Sequence, residues 1–148
     1  MPALRIVAHC GVLLGLLAAC GSDSTGANPP NVVGTWNATK FEFVSIANPT
    51  TKLDAIAQGA SATLLLTSAH GFTLTLNAPG QVQQVSTGTY VETATTLTVT
   101  VTTPPPTQTL GFDLVVSGVT MSLTGGTTTF DFGSGSTPAH INLTLTRQ

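Results

Sequence analysis

Charge is scarce in this chain: only 7% of its 148 residues are Asp, Glu, Lys or Arg. Four basic residues, within a formal net charge of −2, are too few to form a surface that binds a phosphate backbone. We therefore expect no nucleic-acid partner. The chain as a whole is apolar for a soluble protein, with a mean hydropathy of +0.34.

The chain also lacks the clustered side chains that catalysis or metal binding needs. Its six acidic residues are scattered along the sequence. His70 lies in a turn context that favours exposure to solvent, and His140 has no Cys or carboxylate at metal-ligand spacing. The triplet Asp131-Phe132-Gly133 matches a kinase motif, but the other kinase motifs are missing. We predict that the protein is not an enzyme and uses no metal or cofactor.

Two cysteines are present, and the second ends an apolar stretch near the amino terminus. Met1–Arg5 carries one positive charge, and Ile6–Leu17 is apolar apart from His9. This apolar stretch is too short to span a bilayer as a helix. A basic start, a short apolar core and small residues at its end are typical of a secretory signal.

The end of this signal, Leu17-Ala18-Ala19-Cys20, resembles the lipobox of bacterial lipoproteins. The resemblance implies that the Cys20 thiol receives diacylglycerol, that the signal is cut before it, and that the new amino terminus is acylated, for example with palmitate. Several acyl chains give stable anchorage, because each buried CH₂ contributes about 0.8 kcal/mol. Gly21 after the cysteine implies the outer membrane, facing the periplasm. The alternative is an ordinary signal in which Cys20 is incidental.

Three segments follow from this interpretation. Residues 1–19 are the signal peptide, and Cys10 is removed with them, so no intramolecular disulfide is expected. Residues 20–31 are the lipidated cysteine and a flexible tether, because this stretch is polar, lacks periodicity and ends near Pro29-Pro30. Residues 32–148 form the folded domain.

Threonine dominates the composition, at 28 positions, and it alternates with apolar residues along much of the domain. This alternation predicts half-buried strands joined by short turns, in an antiparallel meander. Closing the meander into a barrel buries the apolar face and removes exposed edges. We predict eight to nine strands, depending on whether Gly125-Gly126 is a hairpin or a kink; an open sandwich is the alternative. The clearest alternating triplets are Leu97, Val99 and Val101; Val119, Met121 and Leu123; and Ile141, Leu143 and Leu145.

One segment interrupts the strand pattern. Thr51-Lys52-Leu53-Asp54 is similar to a capping box, and Gly59 suits the residue after a helix end. We therefore predict a short helix over Lys52–Gln58, after the first strand. Such a helix would be either a plug against the end of the barrel or a lid over an opening.

Gly34-Thr35-Trp36, at the start of the first strand, resembles the G-x-W motif of the lipocalins, and Arg147 stands where that family has an arginine after its last strand. The resemblance implies an eight-stranded up-and-down barrel in which Gly34, Trp36 and Arg147 close one end. Trp36 has opposite parity to Phe41 and Phe43. Either a bulge brings all three inside, or Lys40 and Glu42 point into the cavity.

The function that follows is that of a membrane-anchored lipoprotein with a lipocalin-like barrel that binds a small apolar molecule or lipid. Its partners would be the membrane, through the lipid anchor, and that ligand. The alternative is a structural or interaction lipoprotein with a filled core and no ligand. The residues predicted to line the interior are Phe41, Phe43, Leu64, Leu74, Val99, Phe112 and Met121.

Overall fold

The computed structural model describes residues 28–148, so the predicted signal peptide and Cys20 lie outside the described part. Nine β-strands and their turns make up this part, without a helix. The strands are β1 Gly34–Ser45, β2 Lys52–Asp54, β3 Ser61–Leu66, β4 Gly71–Asn77, β5 Gln84–Glu92, β6 Thr96–Thr103, β7 Gln108–Ser117, β8 Thr120–Asp131 and β9 Ser136–Arg147. Consequently no helix of residues 28–148 is long and apolar enough to cross a membrane.

Eight of these strands form a closed barrel. Strands β1 and β3 to β9 pair with their neighbours in order, and β9 pairs back onto β1. Every pairing is antiparallel. The ninth strand, β2, pairs only with β1. The predicted all-β antiparallel meander barrel is confirmed, and the open sandwich is excluded because the sheet closes on itself.

The predicted helix over Lys52–Gln58 is wrong. Its first residues form β2, whose Leu53 is opposite Phe43 of β1, and its last residues form a turn. The Asp54 carboxylate accepts hydrogen bonds from the backbone N–H groups of Phe41, at 3.1 Å, and Ile56, at 3.0 Å. Seven residues are too few to overcome the cost of helix nucleation. Pairing with β1 instead gives the backbone groups of β2 hydrogen-bond partners directly.

A bulge in β1 determines which side chains enter the barrel. The register between β1 and β9 shifts between Ala38 and Lys40, so that one extra residue, Thr39, is inserted. Trp36 and Phe41 are both buried as a result. Of the two alternatives for this strand, the structure contains the bulge.

Gly125-Gly126 is a kink rather than a hairpin. Strand β8 continues through both glycines from Thr120 to Asp131, and its register with β9 shifts between Leu123 and Gly126. Gly125 has a φ of +84°, which other residues adopt only with strain. The Asn142 side chain holds the bulge by accepting a hydrogen bond from the Gly125 N–H at 3.1 Å.

Candidate functional site

One end of the barrel is sealed around Trp36. Its indole is fully buried and donates a hydrogen bond to the Val32 carbonyl at 2.8 Å. Arg147 is directly opposite Trp36 in the pairing of β1 with β9, and its guanidinium carbon lies 4.5 Å from the centroid of the indole. This cation–π contact contributes about 0.5–2 kcal/mol.

The Arg147 guanidinium also fastens the segment that precedes β1. It donates hydrogen bonds to the carbonyls of Val33, at 3.1 Å, and Asn31. Gly34, between these carbonyls and Trp36, has a φ of +143°, so a residue with a β-carbon would be strained there. The three residues predicted for barrel closure therefore lie together at this end.

Large buried side chains fill the half of the barrel next to this seal. The Tyr90 hydroxyl donates a hydrogen bond to the Thr67 carbonyl at 2.8 Å. Burial, followed by the nearby Glu92 carboxylate, raises the pKa of Tyr90 above its usual value. The packed half thus forms a solid floor. Its most deeply buried side chains are Trp36, Tyr90, Leu66, Leu97, Met121, Leu145 and Val32.

Above this floor lies a cavity of about 450 Å³. Six of the seven side chains predicted to line the interior border it, namely Phe41, Phe43, Leu64, Leu74, Val99 and Phe112. Met121 is inward-facing but does not border it, because the pairing of β8 with β9 places Met121 opposite Leu145, two residues from the sealed end. Further apolar lining comes from Phe72, Leu76, Leu97, Val101, Leu110, Leu123, Ile141 and Leu143.

The mouth of the cavity is at the end opposite Trp36. Its wall includes Pro104–Pro106, which connects β6 to β7. Four polar side chains border the cavity as well: Gln84, Ser86, Gln108 and Thr128. Sequence reasoning missed all four, although Gln84 and Ser86 share parity with the buried Tyr90 on β5.

Aromatic rings run from the cavity wall to the rim. Phe41 and Phe43 are stacked with centroids 5.1 Å apart, and Phe43 and Phe130 are stacked at 4.0 Å. Phe132, beyond the end of β8, packs edge-on against Phe130 at 4.9 Å. Stacked and edge-on ring pairs add about 0.5–1.5 kcal/mol each beyond the area they bury, so these rings stabilise one side of the mouth.

The charged side chains of the described residues lie outside the cavity. On the outer surface of β1, the Glu42 carboxylate is 3.0 Å from the Lys40 ammonium and 3.6 Å from that of Lys52. Burial opposes ionisation of Glu42, but the two lysines outweigh it and lower its pKa. Within residues 28–148, no group of three or more His, Cys, Asp or Glu side chains is placed to hold a metal ion.

The two histidines of residues 28–148 also lie away from the cavity. His70 occupies the β3–β4 turn at the sealed end, with a φ of +59°, and its Nε2 is 3.7 Å from a Glu92 oxygen. His140, opposite Val44 on β1, is on the outward face.

No protein-family model matches the chain. No curated protein matches its sequence either. The cavity and its chemistry therefore carry the functional argument.

Proposed function

We propose that the protein is a membrane-anchored envelope lipoprotein whose barrel binds a small apolar molecule or lipid in the cavity above Trp36. The observation that carries this proposal is the cavity itself. Its volume of about 450 Å³ falls within the range of roughly 300–1,000 Å³ typical of small-molecule sites. Aliphatic and aromatic side chains with a few polar groups are also the usual lining of such sites.

The sealed end supports a lipocalin-like assignment of the barrel. Trp36 and Arg147 meet where the first and last strands pair, as the resemblance to that family implies. A barrel of eight strands has an interior just wide enough for packed side chains or one small ligand, and in this chain one half is packed and the other half is hollow. The alternative of a structural lipoprotein needs a filled interior, so the cavity favours a binding function.

The lipid anchor is supported by the lipobox-like sequence around Cys20. Cells fed an alkyne-tagged palmitate should label the protein, and the label should migrate with the outer membrane when the envelope is fractionated. Cys20→Ser should abolish the label and release the protein from the membrane. Cys10→Ser is the matched control, because it removes a thiol from the same segment and should leave labelling intact. Labelling that survives Cys20→Ser would refute the anchor.

Ligand binding can be tested by native mass spectrometry after gentle extraction from the membrane. Leu74→Trp adds bulk on the cavity wall and should remove a bound apolar mass that the unchanged protein carries. Thr73→Trp is the matched control, because the neighbouring side chain points to the opposite face of β4. Circular dichroism confirms that both variants fold. A protein that never carries or takes up an apolar molecule would refute the binding function.

A further inference from the structure

The cavity contains no formal charge among the described residues that line it. From this we infer a ligand class: an uncharged apolar molecule with one small polar group, such as a hydroxyl or an ester, is preferred to a carboxylate anion with the same chain. The inference rests on the proposed binding function and narrows it.

The cations of residues 28–148 are all placed elsewhere. Lys40 and Lys52 are on the outer surface, paired with Glu42. Arg147 is at the sealed end, bonded to backbone carbonyls and stacked on Trp36. A fatty-acid anion therefore finds no positive partner on the cavity wall. Burying its ionised carboxylate is costly, because no positive group pairs with it.

The histidines do not supply that partner either. His70 is in the turn at the sealed end, beside Glu92, and His140 faces outward from β9. A carboxylate at the same end of the barrel has the wrong sign to pair with an anion. Asp131 ends β8 on the same side as the mouth, where its carboxylate accepts hydrogen bonds from the N–H groups of Gly133 and Gly135.

What the mouth offers instead is neutral hydrogen bonding. Gln84 and Gln108 begin β5 and β7 at this end, and Ser86 and Thr128 are close by on the cavity wall. A carboxamide both donates and accepts, and so does a hydroxyl. These groups can bond an alcohol or an ester without burying a charge, while the chain of the ligand lies against Leu64, Leu74 and Val99 below.

The test uses the full-length protein in lipid nanodiscs, photolabelled with a diazirine analogue of dodecanol. Unlabelled dodecanol, methyl dodecanoate and dodecanoate compete at pH 7, and labelling of peptides from the cavity strands is read by mass spectrometry. After correction for partitioning into protein-free nanodiscs, we expect both neutral compounds to displace the probe at concentrations at least about tenfold lower than dodecanoate.

A charge introduced at the mouth should reverse this preference. Gln108→Lys should lower or invert the ratio of the dodecanoate concentration to the dodecanol concentration needed to displace the probe, because the lysine cation would line the cavity. Thr109→Lys carries the same charge on the next residue, which points to the opposite face of β7, and should leave the ratio as in the unchanged protein. Gln84→Lys on β5 repeats the experiment if Gln108→Lys does not fold.

The outcomes separate the two proposals. Equal or tighter displacement by dodecanoate in the unchanged protein overturns the neutral-ligand inference while binding itself stands. The neutral-ligand inference is also overturned if neither Gln108→Lys nor Gln84→Lys changes the ratio of displacing concentrations. Absence of any competed labelling on the cavity strands overturns the binding function, and the inference with it.

Discussion

The Phe112 ring lies directly over Gly126, so that a β-carbon at position 126 would clash with a ring atom. Phe112 is on β7 and lines the cavity, whereas Gly126 follows the bulge in β8. The missing side chain therefore leaves room for a ring that forms part of the cavity wall. Space inside the barrel depends on this contact.

Gly126→Ala should displace the Phe112 ring toward the cavity. We expect a loss of about 1–3 kcal/mol in the free energy of unfolding, the usual cost of overpacking, together with weaker binding of an apolar probe. Urea titration and probe fluorescence measure the two effects. Gly111→Ala is the control, because its added methyl group meets nothing within 4 Å. Equal behaviour of the two variants would contradict the packing argument.

Arg147→Lys tests whether the sealed end needs a guanidinium or only a positive charge. Lysine cannot bond the Val33 and Asn31 carbonyls with a planar fork while it covers the Trp36 ring. We expect the free energy of unfolding to fall by about 1–2 kcal/mol. Thermal unfolding followed by circular dichroism provides the measurement. A lysine variant as stable as the original would show that charge alone is enough.

The lowered pKa of Glu42 leads us to expect a loss of stability at acid pH. Its lysine partners lower its pKa below the usual value of 4.5, so the folded state holds the ionised form more tightly than the unfolded state does. The resulting stabilisation is complete above pH 4.5 and is lost as the pH falls through the lower folded value. Glu42→Gln should flatten this acid-side decrease in urea titrations between pH 3 and pH 6. Unchanged pH dependence would count against the ion-pair cluster.

The raised pKa of Tyr90 leads us to expect a loss of stability at alkaline pH. Burial raises its pKa above 10.0, so stability is intact below that pH and decreases above it, where the unfolded chain ionises first. Tyr90→Phe should remove this alkaline decrease. It should also cost about 1 kcal/mol at pH 7, because the hydrogen bond to the Thr67 carbonyl is lost. A variant that keeps the full alkaline decrease would locate its cause elsewhere.

The alternation of apolar and Thr residues was enough to predict antiparallel strands with one buried face, because alternation determines the face on which a side chain lies. Closure into a barrel rather than an open sandwich is decided by the pairing of β9 with β1. Leu97 and Val99 are buried, as their parity requires. Alternation does not determine how far along the barrel axis a side chain lies, since that depends on the register between strands. Met121 shows the difference, because it faces inward at the level of Leu145 and below the cavity.

Two other features depended on information that a local pattern does not contain. Thr51-Lys52-Leu53-Asp54 has the residues of a helix start, but Asp54 uses its carboxylate to bond Phe41 and Ile56 in a turn after β2. The glutamines at the mouth, Gln84 and Gln108, were missed because a glutamine at the start of a strand is ordinarily assigned to the surface. The parity that Gln84 shares with Tyr90 was one available signal, and the pairing of Gln84 with Leu76 and of Gln108 with Val101 places both glutamines on the inner wall.

The hydrogen bonds from Arg147 to Asn31 and Val33 have a mechanical consequence. These bonds fasten the chain ahead of β1 to the sealed end of the barrel, so a pull on that chain acts on them first. The attachment of the preceding chain and the mouth of the cavity therefore lie at opposite ends of the barrel.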